Sequence, residues 1–215
     1  LLRLNFYRAL KESLFMKKLP VISLMIALVA IAIAGNVRTT STDVPAPPAI
    51  GATIVDFTLP DADGKDHSLN SLKGKNGTVL IFVAVQCPIS NAYNERMEKL
   101  AQDYKARGIS VVGINPNSTE PAADVKKHAA QSNLTFPILK DNGNKIADSL
   151  GATRTPEAYF LDANNKLVYH GRIDNSRDVS QVNSSELRDA LEATLAGKPV
   201  AKTTANAFGC SIKRA

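Results

Sequence analysis

Two cysteines, Cys87 and Cys210, carry the chemistry for which this 215-residue sequence can be read. Cys87 stands in Gln86-Cys87-Pro88-Ile89-Ser90, where an unbroken apolar run ends and a helical pattern starts. The free N–H groups and positive dipole end of a helix favour an anion, so they stabilise a thiolate placed there. Cysteines at such junctions tend to be nucleophilic near neutral pH. The blander reading of Cys87 is a small buried hydrophobe at a strand end. Pro88 fits only the first turn of the helix. Ser90 offers a hydroxyl that can donate a hydrogen bond to the thiolate. Cys210, in Phe208-Gly209-Cys210-Ser211, falls in a basic tail read as flexible and long enough to fold back. It is a resolving partner for Cys87, a structural bridge, or a spare thiol. A further feature is Thr155-Pro156 in Arg154–Asp162 (RTPEAYFLD), directly before a predicted strand, where proline is tolerated and can be cis.

The elements that must position these residues are legible from periodicity. Thr78–Val85 (TVLIFVAV) is an apolar, β-rich run, the pattern of a central strand buried on both faces. Asn91–Arg107 repeats apolar residues at helical spacing, and Ile109–Ile114 (ISVVGI) is a second buried strand. Ile54–Leu59 followed by Asp61–Gly64 (DADG) predicts a hairpin. Pro121–Gln131 and Asn144–Leu150 read as helices around a short strand at Phe136–Leu139. Glu157–Leu161 and Leu167–Ile173 flank the turn Asp162–Asn165 (DANN). Ser184–Leu195 is a last amphipathic helix, capped by Ser184 or Ser185 and ended by Gly197. Together they predict one α/β domain with a mixed central β-sheet flanked by helices.

Charge argues against a nucleic-acid partner. Of the net +6, residues 1–34 hold Arg3, Arg8, Lys11, Lys17 and Lys18 against Glu12. That local excess of four leaves +2 for the rest, with both signs interspersed. Lys17 and Lys18 precede the uncharged Leu19–Ala34 (LPVISLMIALVAIAIA), and Ala30, Ala32 and Ala34 are small. This pattern reads as an export signal, cleaved or retained as an anchor, with Met16 a sensible start. The organisation expected is a signal or anchor over 1–34, a Thr/Ser/Pro-rich linker over 35–50, a domain over 51–196, and a tail over 197–215 carrying Cys210. The localisation expected is extracytoplasmic, periplasmic or secreted, with any membrane contact through the N-terminal segment alone.

Cys87-Pro88-Ile89-Ser90 resembles the C-x-x-C active-site motif of the thioredoxin superfamily, and Thr155-Pro156 resembles its cis-proline loop. The segments IGATIVDFTL, TVLIF and FLDANNKLVYHGRI resemble the redoxin group, which includes peroxiredoxin-like proteins and exported thioredoxins. The resemblance covers residues 50–196. It implies a thioredoxin-like fold, with Pro156 lying against the Cys87 sulfur and the Thr155 backbone pairing with an extended substrate segment. It also implies a thiol–disulfide oxidoreductase, acting on disulfide-containing proteins or small-molecule thiols and recharged by an external reductant. Ser90 departs from the dithiol pattern, so resolution falls to Cys210 or an outside thiol.

Peroxide reduction, an antioxidant role, is the nearest alternative. Peroxiredoxins carry P-x-x-x-[TS]-x-x-C, whereas Leu80 and Ala84 occupy those positions here, and Arg154 lies only near their assisting arginine. A non-enzymatic binding module, with CxxS trapping clients, is the third reading. No cofactor and no metal are expected. His67, His128 and His170 are scattered, Asp61, Asp63 and Asp66 lack the closing Glu of an EF-hand loop, and no C-x-x-x-C pair is present. Tyr93 and Arg96, one and two turns beyond Cys87, are read as helix packing or as groove walls.

Overall fold

The computed structural model describes residues 44–214, so the predicted signal segment Leu19–Ala34 lies outside the described residues. Strand β3 (Gly77–Phe82) is buried at every position and lies at the centre of a five-stranded sheet. Its partners are β4 (Ile109–Asn115), parallel, and β7 (Glu157–Asp162), antiparallel. β5 (Ile138–Lys140) extends the parallel side, and β8 (Leu167–Gly171) the antiparallel side. The order β5-β4-β3-β7-β8 is the mixed sheet of a thioredoxin-like fold. Alternation along β3 feeds two cores. Val79 and Ile81 pack with Met97, Leu100, Leu187 and Leu191, while Leu80 and Phe82 pack with Leu69, Leu139, Leu150 and Tyr159. Each fully buried aliphatic side chain stabilises the fold by about 1.5–3 kcal/mol, which makes β3 a rigid mount for whatever follows it.

The remaining elements cover the faces and edges. β1 (Thr58–Pro60) and β2 (Asp66–Ser68) form the expected hairpin, followed by a short helix α1 (Leu69–Leu72). The predicted strand from Ile54 is confined to β1, because Thr53 and Ile54 bond instead to Lys166 and Asn165. Helix α4 (Ala122–Gln131) follows β4, and α5 (Lys145–Ser149) follows β5. Helix α6 (Glu186–Leu195) buries Leu187, Ala190 and Leu191. Ser185 stands at the N-cap, as expected, but makes no side-chain cap bond, and the Ser184 hydroxyl donates to the Glu186 carboxylate. Gly197 ends it at φ +65, and the Lys198 N–H reaches back to Ala193 O.

The helix after Cys87 departs from expectation. It is two pieces, α2 (Pro88–Asn91) and α3 (Asn94–Lys105). The Tyr93 N–H bonds to Ser90 O, only three residues back, which tightens and closes the first turn. Tyr93 is then held by its hydroxyl, which donates to Asp174 and to Ser176 O. Arg96 stacks over the Tyr93 ring at 3.6 Å and donates to Asp174, Ser176 O and Arg177 O. The pair therefore clamps the 174–177 loop. Among the described residues no helix is long and apolar enough to cross a membrane.

Candidate active site

Cys87 is reached directly from β3 and is 3% exposed. It is the N-cap of α2, and its sulfur accepts the Ser90 N–H at 3.3 Å. One turn of helix carries little macrodipole, so this N–H is the contact that favours the thiolate rather than the end of a long helix. The Ser90 hydroxyl does not serve the sulfur as expected; it accepts the Ala84 N–H at 3.2 Å, pinning the strand end to the turn. On its other side the Cys87 thiol donates to Thr155 O at 3.3 Å. The Thr155–Pro156 bond is cis.

Thr155 belongs to β6 (Arg154–Thr155), which pairs antiparallel with β9 (Cys210–Ser211), Thr155 opposite Cys210. The backbone pairing expected of a substrate segment is thus made by this chain's own C-terminal arm. Cys87 is buried and Cys210 half-buried. Both converge on Thr155, Cys87 through its sulfur and Cys210 through its strand pairing.

The arm is not the loose tail the sequence suggested. Ala205 and His170 exchange backbone bonds with one another's neighbourhood: the His170 N–H donates to Thr203 O and the Ala205 N–H to His170 O. Phe208 meets the Tyr93 ring edge-on, centroids 6.2 Å apart. Ile212 is buried in the second core, and its N–H donates to Thr153 O. Arg214 donates to Asp148 and to Ala152 O. Two glycines allow this close fit. A Cβ on Gly171 would stand 2.0 Å from Ala205 O, and one on Gly209 2.1 Å from Thr155 O.

Two buried glutamates hold the segments that carry the site, and nothing local in the sequence marks them. Glu120, 1% exposed, accepts the N–H groups of Val85 and Gln86, both at 2.9 Å, and the Asn115 amide at 2.6 Å. Burial pushes its pKa up, but those donors outweigh burial and leave it below the ordinary carboxylate value. Lys140, itself buried, donates to Asn115 Oδ1 and Asn117 O. Asn117 Oδ1 in turn accepts the Lys213 N–H. One polar network therefore anchors the residues just before Cys87 and those just after Cys210. Glu157 does the same for β6, accepting the N–H groups of Thr153 and Arg154 while His170 Nε2 lies 2.6 Å from its other oxygen. Burial raises its pKa, and the bond to His170 with the two N–H donors brings it below the usual value.

The alternative chemistries find less support in this geometry. Ala84 has no hydroxyl to offer a peroxide, and the Arg154 guanidinium turns outward to donate to Ser211 Oγ at 3.0 Å. His67 pairs with Asp61, His128 with Asn94 and His170 with Glu157. Among the described residues no group of three or more His, Cys, Asp or Glu could hold a metal ion.

A thiol-disulfide oxidoreductase ResA from Geobacillus thermodenitrificans is 29% identical over 157 residues, 73% of this chain and 86% of the relative. A chloroplastic peroxiredoxin Q from Sedum lineare is 31% identical over 144 residues, 61% of this chain and 74% of the relative. A hypothetical protein from Sinorhizobium meliloti has a solved structure that superposes with TM-score 0.73 at 32% identity, covering 78% of this chain and 96% of that one. Residues 50–170, more than half of the chain, match the model of the AhpC/TSA family, and the chain belongs to that family.

Proposed function

We propose that this thiol–disulfide oxidoreductase is an exported enzyme that works as a two-cysteine cycle, with Cys87 as nucleophile and Cys210 as resolving thiol. The observation that carries the reading is the pairing of Thr155 with Cys210, which sets Cys210 beside the Cys87 sulfur without any second cysteine in the α2 turn. In the first step the Cys87 thiolate attacks one sulfur of a disulfide RSSR; a Cys87–SR bond forms, and RS⁻ leaves and takes a proton from solvent. The Cys210 thiolate then attacks Cys87 Sγ and expels the second RS⁻. The substrate gains two electrons and the Cys87–Cys210 pair loses them; an external dithiol returns the pair to the reduced state. Pro88, Ser90, Thr155 and Pro156 shape the turn and the loop on either side of the sulfur. Export rests on the Lys17–Lys18 and Leu19–Ala34 pattern.

The test is intact mass of the reduced protein after brief exposure to oxidised glutathione. The expected result is loss of two hydrogens mapped to Cys87–Cys210. A stable single glutathione adduct on Cys87 overturns the resolving role of Cys210, and no change at Cys87 overturns the reactive-thiol reading altogether.

A further inference from the structure

A polypeptide substrate presented to Cys87 needs the backbone of the loop that faces the sulfur, and in this fold that backbone is taken. Thr155 gives its carbonyl to the Cys87 thiol and its ladder position to Cys210. The arm then runs on through Ile212 into the second core and is tied by Lys213 to Asn117 and by Arg214 to Asp148. On the near side it is fixed by the pairing of Thr203 and Ala205 with His170. Residues 206–211 therefore cross the site as a strap fastened at both ends, and Cys87 beneath it is 3% exposed. The strap satisfies the Thr155 backbone but not its side chain: Thr155 Oγ1 is buried without a hydrogen-bond partner. A buried, unmade hydroxyl bond is costly, so a strand that offered Thr155 Oγ1 a partner would compete with the arm on that count.

We propose that the arm, residues 206–214, is the chain's own occupant of the substrate-strand position and so sets which disulfides reach Cys87. With the arm docked a small disulfide needs only a local opening over Cys87, whereas an extended polypeptide disulfide reacts only from the fraction of molecules whose arm has lifted off β6. This rests on the reading of Cys87 as the nucleophile and adds the substrate class. It also gives the arm a part in product release. Once Cys87 is joined to a polypeptide, re-docking of β9 takes back the Thr155 backbone as Cys210 attacks, so the displaced chain loses its strand pairing and its disulfide in one event.

The experiment compares two probes with the same leaving group, in a Cys210→Ser background so that the mixed disulfide on Cys87 persists. One is the small aromatic disulfide dithiobis(nitrobenzoate). The other is a short extended peptide whose single cysteine carries thionitrobenzoate. In each case the Cys87 thiolate attacks, a mixed disulfide forms and the coloured thionitrobenzoate anion leaves. Ile212→Asp and, as a milder opening, Arg214→Ala loosen the far anchor. Apparent reactivity scales with the open fraction, so the peptide rate is expected to rise by about tenfold or more while the small-disulfide rate changes by less than about threefold. Added peptide spanning residues 206–214, with Ser in place of Cys210, is expected to suppress the gain. Equal changes with both probes, or a peptide rate already as fast as the small-disulfide rate in the unloosened protein, overturn the inference and leave the nucleophile reading standing. Failure of Cys87 to react with either probe overturns that underlying reading, and the inference with it. Should Ile212→Asp not fold, the Arg214→Ala protein and the competing peptide still decide the question.

Discussion

The ring of Phe208 meets the ring of Tyr93 edge-on at 6.2 Å, joining the residue two before Cys210 to the start of the helix that follows Cys87. This contact adds to the β6–β9 pairing in holding the two cysteine-bearing segments together. Truncating Phe208 to Ala removes an aromatic pair worth about 0.5–1.5 kcal/mol beyond its buried area. The expected outcome with oxidised glutathione is slower closure of Cys87–Cys210, visible as glutathione adduct accumulating on Cys87 by mass spectrometry. A closure rate identical to that of the unaltered protein would show that Phe208 plays no part in alignment.

Gly209 leaves no room for a side chain. Its φ is +153, and a Cβ would stand 2.1 Å from Thr155 O. Gly209→Ala is therefore expected to push β9 off β6 and to lower stability by about 1–3 kcal/mol. Disulfide mapping should find the Cys87–Cys210 bond lost, while a small disulfide still reacts at Cys87.

Ser90 separates two contributions that sequence alone merges. Its hydroxyl serves Ala84 and its backbone N–H serves the sulfur. Ser90→Ala leaves the Ala84 N–H buried without a partner, a loss of about 1–3 kcal/mol in denaturant unfolding. The rate of Cys87 thiolate alkylation should stay within about twofold, because the N–H that touches the sulfur remains. A rate that falls tenfold or more would return the hydroxyl to the role first expected of it.

Much of this was legible in the sequence, and the parts that were not share a physical cause. The central strand announced itself because burial on both faces demands an unbroken apolar run. The Cys87 junction and Thr155-Pro156 stood out by residue type. The break at Ala92–Tyr93 was invisible because residues on either side of it are compatible with helix, and the Tyr93–Asp174 bond that fixes the break joins residues far apart in sequence. β9 is two residues long, too short for any period, and only Phe208 and Ile212, apolar residues on either side of Cys210, hinted that the tail had somewhere to go. Glu120 and Glu157 carry no local signal of burial, since most glutamates stay exposed. Their burial follows from backbone N–H groups that only the folded chain brings to them.

Acid should loosen the arm. Glu186 is held down to about 2 from 4.5, first by the Arg172 guanidinium and then, against the opposing effect of burial, by Lys202 at the root of the arm. A carboxylate whose folded pKa lies below its unfolded one stabilises the fold above the unfolded value, and that contribution fades as pH falls through the folded one. The loss should therefore run from about pH 4.5 down to about pH 2. Glu186→Gln is expected to be less stable than the unaltered protein at neutral pH, with the gap closing through this window. A gap that stays constant with pH, followed by urea unfolding, would exclude the carboxylate as its source.

The two cysteines meet at Thr155 but are far apart along the chain, and synthesis runs in one direction. Cys87 emerges first, and at typical elongation rates of about 5–20 residues per second its partner follows on the order of ten seconds later. During that interval Cys87 exists without the strand that covers it. In the exported two-cysteine cycle proposed above, a newly made chain meets foreign thiols and disulfides before it meets its own, and early adducts on Cys87 wait for the arm to arrive.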